Sequence, residues 1–266
     1  RSGRRLPAAR GLFPGALAAI DAVAARGEGD GGRFAAVGVP AARIRVTGDM
    51  KFDRPLPPEP SFASRLRRLA GSRPVLVAGS VAEEELDLAL ALPRALPGPC
   101  GAPLLLLAPR RTEAWDEAER RGRAAGLRVV RRTGPDGDGP ADVFLLDTIG
   151  ELASAYRLGD AALLGGTFGR RGGHNVLEPL QAGLPVVLGP SIWNIRGAVE
   201  AAGTAVVRVA APAEAAPALA RLLGDPRARA AAREDAAALL ARHRGATERT
   251  ARLALDLLDA SAGAAR

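Results

Sequence analysis

From Val75 to Val207, short apolar runs alternate with longer stretches rich in Ala, Leu and Arg, and this alternation constrains the fold more than any other feature. A parallel strand covered by helices on both faces reads as an unbroken apolar run, and strands that alternate with helical stretches build a parallel sheet. The runs Val75–Ala78, Leu104–Ala108, Leu127–Val130, Val143–Leu146, Ala161–Leu164, Val186–Leu188 and Ala205–Val207 are the expected strands. Glu83–Leu96, Glu113–Ala125, Gly150–Arg157, Val176–Ala182 and Asn194–Ala201 are the expected helices. Crossovers of this kind are right-handed, so the expectation is an α/β, Rossmann-like, doubly wound sheet with helices on both faces.

The flanks read differently. Pro212–Arg266 is helical in pattern, broken at Gly224-Asp225-Pro226 and near Gly245, and is expected to cover the sheet. Ahead of Val75 the pattern gives a helix over Pro14–Ala25, a short helix over Gly31–Val37 and a strand over Arg43–Val46, followed by Pro55, Pro57, Pro58 and Pro60. That proline cluster reads as a linker. The expected division is therefore residues 1–54 as the tail of a preceding domain, 55–62 as linker and 63–266 as the main domain. The chain opens on Arg1 in mid-protein style, so a longer polypeptide is expected.

A net charge of +8 and a pI near 11.1 would ordinarily point to a polyanion partner. Lys51 is the only lysine and aromatics make up 3% of the chain, so the excess is arginine without the stacking residues of a nucleic-acid platform, and no nucleic-acid partner is expected. One cysteine, Cys100, excludes an intrachain disulfide and a cysteine-rich metal site, and reads as a loop thiol in a reducing compartment. No stretch approaches the ~18 apolar residues of a membrane span.

In open α/β sheets ligands bind at the carboxyl ends of strands. Four such loops carry polar or glycine-rich sequence: Gly79-Ser80; Pro109-Arg110-Arg111; Asp147-Thr148-Ile149-Gly150-Glu151; and Gly165-Gly166-Thr167 running on to Gly172-Gly173-His174-Asn175. The glycine pairs let backbone approach a ligand, and a helix opening at Asn175 would add its positive dipole end, together making a phosphate site. Glu178 stands one turn into that helix, where a carboxylate can accept the two hydroxyls of a ribose. Arg110 can present a fork to phosphate. Asp147 and Thr148 precede a helix and can cap it, with Glu151 in its first turn. His174 has no second histidine beside it, so a structural or substrate-contacting role is expected and no metal site. Lys51, in Thr47-Gly48-Asp49-Met50-Lys51-Phe52-Asp53, marks a place where a compact ammonium is wanted in an arginine-rich chain.

These motifs, in this order, resemble those of the 3-deoxy-D-manno-octulosonic acid (Kdo) transferases of lipopolysaccharide synthesis. The resemblance runs from Arg33-Phe34 and Gly38 through VTGDMKFD (Val46 to Asp53), AGS (Ala78 to Ser80), APR (Ala108 to Arg110), DTIGEL (Asp147 to Leu152), Gly165-Gly166, RGGHNVLEP (Arg171 to Pro179) and GLPVVLGP (Gly183 to Pro190) to Trp193-Asn194. It implies a glycosyltransferase-B architecture with a complete C-terminal domain, an inverting and metal-independent reaction without cofactor, CMP-Kdo as donor and a lipid A precursor as acceptor. It places the nucleotide on Pro109 and Arg110, on Ile149, Gly150 and Glu151, and on Asn175, Val176, Leu177 and Glu178. Ser80, Gly165, Gly166, Gly172, Gly173 and His174 are further candidates, and Lys51 is the expected charge stabiliser. It also implies a general base in the N-terminal domain, outside this chain, so that this chain alone would be inactive. The work would be done at the cytoplasmic face of the inner membrane, by a protein that is peripheral or anchored through its N-terminal part. The chain departs from the family pattern at Val81-Ala82, where Thr-His is usual, at Arg111, where His is usual, at Asp49, where Asn is usual, and at Ile195, where an aromatic is usual. Two other readings stand beside this one: a non-catalytic nucleotide-binding module, and a glycosyltransferase-B enzyme that uses a UDP-sugar.

Overall fold

The computed structural model describes Leu17, residues 19–96, residue 98, residues 102–135 and residues 139–264. Cys100 lies outside these residues, as do positions 14–16 and 18 of the first expected helix. The chain divides into two compact units: residues up to Pro55 together with Leu240 onward, and Leu56–Leu239.

In the first unit, β1 (Val23–Ala25) pairs in parallel with β2 (Ile44–Val46), and α1 (Glu28–Val37) connects them. The helix expected over Pro14–Ala25 is corrected here: Leu17 is helical, but Val23–Ala25 is extended, with Val23 and Ala25 buried and Ala24 exposed. Alanine-rich sequence favours helix locally, and pairing with β2 overrides that preference. The helix Ala246–Ala264 belongs to this unit. Asp53 accepts hydrogen bonds from the amides of Gly245 (2.7 Å) and Thr247 (2.6 Å), which caps the helix start. Arg249 Nε donates to the Thr47 carbonyl at 2.8 Å, Thr250 Oγ1 donates to Thr47 Oγ1 at 2.9 Å, and Phe52 stacks on His243 with ring centres 4.3 Å apart. Much of the VTGDMKFD stretch is thus occupied with docking the last helix. The expectation that the whole C-terminal stretch covers the sheet, in one domain over 63–266, is not how the contacts divide.

The second unit begins with α2 (Ala63–Ala70) and then runs β3 (Val75–Val81), α3 (Leu86–Ala95), β4 (Leu104–Pro109), α4 (Trp115–Ala124), β5 (Val129–Arg131) and β6 (Val143–Leu145). It continues with α5 (Leu152–Ala155), β7 (Ala161–Leu164), α6 (Leu177–Gln181), β8 (Val186–Leu188), α7 (Arg196–Ala201), β9 (Val206–Arg208), α8 (Ala215–Gly224) and α9 (Pro226–His243), whose residues from Leu240 count with the first unit. The seven strands are all parallel, in the order β5-β6-β4-β3-β7-β8-β9. Leu76, Leu105, Leu107, Leu145, Leu163 and Val187 on the sheet pack with Leu90 of α3 and with Leu219 and Leu222 of α8 in one core. Each such side chain contributes roughly 2 kcal/mol by leaving water. The proline-rich stretch expected as linker is fastened to this unit. Arg157 donates to the carbonyls of Pro57 (2.6 Å) and Leu56 (3.1 Å), Glu59 pairs with Arg67 at 2.5 Å, and Phe62 stacks on Phe144.

The order of the strands locates the site. β3 stands at the centre; the chain builds outward through β4 on one side, then returns to lay β7 on the other. The strand order therefore reverses between β3 and β7, and in open α/β sheets ligands bind in the crevice outside the carboxyl ends at such a switch point.

Candidate functional site

The β3 and β7 sides of this crevice are made of backbone. The Gly165 amide donates to the Gly79 carbonyl at 2.9 Å, and a Cβ on Gly165 would stand 2.3 Å from the Ser80 carbonyl oxygen. Only glycine permits that approach. Ser80 itself has φ 54°, the one positive value at a non-glycine among the described residues, and such strain costs roughly 1–3 kcal/mol and concentrates at ligand sites. Beyond β7 the loop folds back, with the Gly173 amide donating to the Gly166 carbonyl at 2.8 Å. Gly172, at φ 82°, lies flat against the Trp193 ring, and Asn194 ties the turn through its amide to the Gly172 carbonyl (3.0 Å) and its Nδ2 to the Arg171 carbonyl (3.1 Å).

Two buried polar side chains hold these loops, and neither was among the expected site residues. Glu85, 3% exposed, accepts from the amides of Ala82 (3.0 Å), Gly166 (2.7 Å) and Phe168 (2.9 Å). Thr167 is fully buried; its Oγ1 donates to the Leu164 carbonyl at 2.6 Å and accepts from the Gly189 amide at 2.9 Å. The signal for Glu85 is its place three residues after Ala82, the spacing of a capping box, set in a run of three glutamates that all look like surface charge.

The phosphate-site expectation needs correcting at Asn175. α6 starts at Leu177 and is five residues long, so its dipole is small; Asn175 precedes it, with Oδ1 accepting from the Leu177 amide (3.1 Å) and Nδ2 donating to Glu178 Oε1 (2.9 Å). The fold-back at Gly-Gly-His-Asn delays the helix. Val176 and Leu177 are buried, so their backbone and not their side chains can meet a ligand. Glu178 is half-buried. Burial, aided by the charge of Glu178, pushes the phenol of Tyr156 far up, and this ring lies under Gly79.

His174 and Arg110 join the β7 and β4 sides. The imidazole packs on Gly166, its Nε2 is buried without a hydrogen-bond partner, and its pKa is held below 6.5, first by desolvation and then by the Arg110 charge, with Glu85 opposing and Arg171 adding. His174 is therefore a neutral ring at neutral pH. Arg110 is exposed at the end of β4; its amide donates to the Val81 carbonyl at 2.8 Å, while its guanidinium makes no hydrogen bond or ion pair among the described residues. Pro109 ends the strand and fixes the turn.

The β6 loop is built from side chains. Asp147 does not cap the following helix, contrary to expectation: it is buried and accepts from the Thr133 amide (3.0 Å) and from Thr133 Oγ1, tying the ends of β5 and β6 together. Thr148 Oγ1 donates to Glu151, whose other oxygen accepts from Arg132 at 3.3 Å. Ile149 is 83% exposed, and Gly150 turns the chain at φ 88°. Lys51 belongs to the first unit, where its side chain is exposed and its amide donates to Asp49 Oδ1 at 3.0 Å. Among the described residues no three His, Cys, Asp or Glu side chains gather as a metal set, and no helix is long and apolar enough to cross a membrane.

The strand order is that of a doubly wound, Rossmann-like domain, and the fold is that of the glycosyltransferases of the B type. HepE from Anabaena, solved with UDP-glucose, shares this fold at a TM-score of 0.57 and 16% identity over 97% of this chain and 68% of that one. The C-terminal CMP-Kdo binding domain of WaaA from Acinetobacter baumannii has a TM-score of 0.58 at 26% identity, over 67% of this chain and 95% of that domain. Residues 1–54 match the model of the family described as 3-deoxy-D-manno-octulosonic-acid transferase (kdotransferase). The 3-deoxy-D-manno-octulosonic acid transferase of Bordetella pertussis is 39% identical over 243 residues, 88% of this chain and 56% of that protein. That of Haemophilus influenzae is 31% identical over 180 residues, 66% and 42% respectively. The chain belongs to the Kdo transferase family, and it spans about half the length of these relatives.

Proposed function

We propose that this chain holds the donor of a Kdo transferase, with CMP-Kdo in the crevice between β3 and β7 and a lipid A precursor as acceptor at the cytoplasmic membrane surface. The observation that carries the reading is the pairing of the glycine cradle with the unpaired Arg110 and the neutral His174, in a chain similar to a CMP-Kdo binding domain.

The chemistry follows from charge. Departure of CMP from an oxocarbenium-like anomeric carbon leaves negative charge on phosphate, which the Arg110 fork absorbs, while the glycine turns let the phosphate come close to backbone. A neutral His174 can donate to or accept from the donor without adding a second fixed charge. Glu178, steadied by Asn175, takes the ribose hydroxyls, and Pro109, Ile149, Gly150 and Glu151 border the base. Lys51 acts as charge stabiliser, and transfer proceeds with inversion and without a metal.

Titration calorimetry of the chain with CMP and with UDP tests the donor. CMP is expected to bind at least tenfold more tightly; equal or tighter UDP binding would overturn the reading. The ribose role of Glu178 is tested separately in a full-length transferase assay, where Glu178→Ala is expected to lose about tenfold in activity, the cost of a hydrogen bond to a charged group. Unchanged activity would remove Glu178 from the site.

A further inference from the structure

We infer that Glu85 is a positioning residue for the donor: one buried carboxylate clamps together the two loops that form the crevice, and so sets its width. The inference rests on the donor reading above. Oε2 accepts from Ala82, in the loop after β3, and from Gly166, in the loop after β7; Oε1 accepts from Phe168, two residues further on. These are segments more than 80 residues apart in sequence, brought together only at the switch point. Backbone contact does the rest: Gly165 meets the Ser80 carbonyl with no room for a Cβ, and the Gly165 amide bonds to Gly79. The amides of Ala82, Gly166 and Phe168 therefore cannot move apart without breaking bonds to this one side chain. Its charge also acts on the groups that face the donor, opposing the fall in the His174 pKa and supporting the charge on Arg171.

A simple cap of α3 would need only the bond to Ala82. The bonds to Gly166 and Phe168 are what a cap does not require, and they are the ones that touch the donor cradle. No neutral side chain replaces this arrangement. A carboxylate offers acceptors on both oxygens; the amide of Gln offers one oxygen and turns an NH2 towards an N–H donor. Asp keeps the charge but is one methylene too short to reach all three amides.

The test is CMP affinity by calorimetry for wild type, Glu85→Gln, Glu85→Asp and Leu219→Ala, the last a truncation of a buried residue of α8 that lowers stability and removes no hydrogen bond. Glu85→Gln is expected to bind CMP at least tenfold more weakly, Glu85→Asp to fall between it and wild type, and Leu219→Ala to stay within twofold. Affinities of both Glu85 variants equal to wild type, or a loss in Leu219→Ala as large as in Glu85→Gln, would overturn the inference while leaving the donor reading intact. Wild type that takes no CMP would overturn the donor reading first, and this inference with it. Should Glu85→Gln fail to fold, Glu85→Asp carries the test, with amide exchange at Gly166 and Phe168 as second readout: faster exchange there and unchanged exchange along β7 are expected, and uniform acceleration would contradict the clamp.

Discussion

The two sides of the crevice are built on different principles. On the β3 and β7 side the surface is backbone, drawn close by glycines and pinned from behind by Glu85 and Thr167, both buried. On the β4 and β6 side the surface is side chains: Arg110 without a hydrogen bond or ion pair among the described residues, Ile149 almost fully exposed, and Glu151 held by Arg132 at 3.3 Å. A backbone surface has a fixed shape that is decided by the fold. A side-chain surface can be altered one residue at a time with little cost to folding. On the proposed reading, the first side fixes how closely the donor can approach, and the second supplies the Arg110 charge for its phosphate and the side chains that border its base.

This division can be broken, and the largest effect is expected at Gly165. Gly165→Ala forces a methyl to within 2.3 Å of a backbone oxygen that cannot swing aside, and overpacking of this kind costs about 3 kcal/mol. A urea denaturation midpoint that does not move would show that the backbone contact is not tight. Next, Thr167→Val removes a hydroxyl that serves both the Leu164 carbonyl and the Gly189 amide, leaving both buried and unpaired, and is expected to cost about 2 kcal/mol in the same measurement.

Across the crevice the expectation reverses. Arg110→Ala should leave the denaturation midpoint unchanged and weaken CMP by about tenfold, roughly 1.4 kcal/mol, with the loss shrinking as salt rises. A variant that is destabilised but binds normally would mean that Arg110 belongs to the structure and not to the ligand.

The smallest effect concerns pH and His174. The folded ring resists protonation below its ordinary 6.5, so the unfolded chain binds a proton that the folded chain refuses. Stability contributed by the neutral ring is present above about pH 6.5 and falls as pH drops through that value towards the lower folded pKa. His174→Gln should flatten this part of the profile of denaturation midpoint against pH between 5 and 7.5, chosen to span the ordinary histidine range. An identical slope in the variant would assign the dependence elsewhere.

How legible these features were in the sequence follows from their physics. The seven strands of the sheet could be read because burial on both faces leaves an unbroken apolar run, as in Leu104–Ala108. The glycine turns and Arg110 could be read from their places after those runs. Glu85 and Thr167 could not, since their partners lie on distant segments and no local period records such a bond. Val23–Ala25 looked helical because alanine prefers helix until a neighbouring strand pairs with it. Asp147 looked like a cap because its real partner, Thr133, comes from the adjacent strand end. The last helix was assigned to the sheet for the same reason: the bonds from Asp53 to Gly245 and Thr247 span most of the chain.

On the proposed reading, the crevice between β3 and β7 receives a cytidine nucleotide on a backbone surface faced by Arg110. Titration of the isotopically labelled chain with CMP, followed through its backbone amide resonances, tests it most directly. Saturable shifts concentrated at Ser80, Arg110, Gly165, Gly166, Gly173 and His174 are the predicted result. Shifts confined to other strand ends, or none at millimolar CMP, would contradict it.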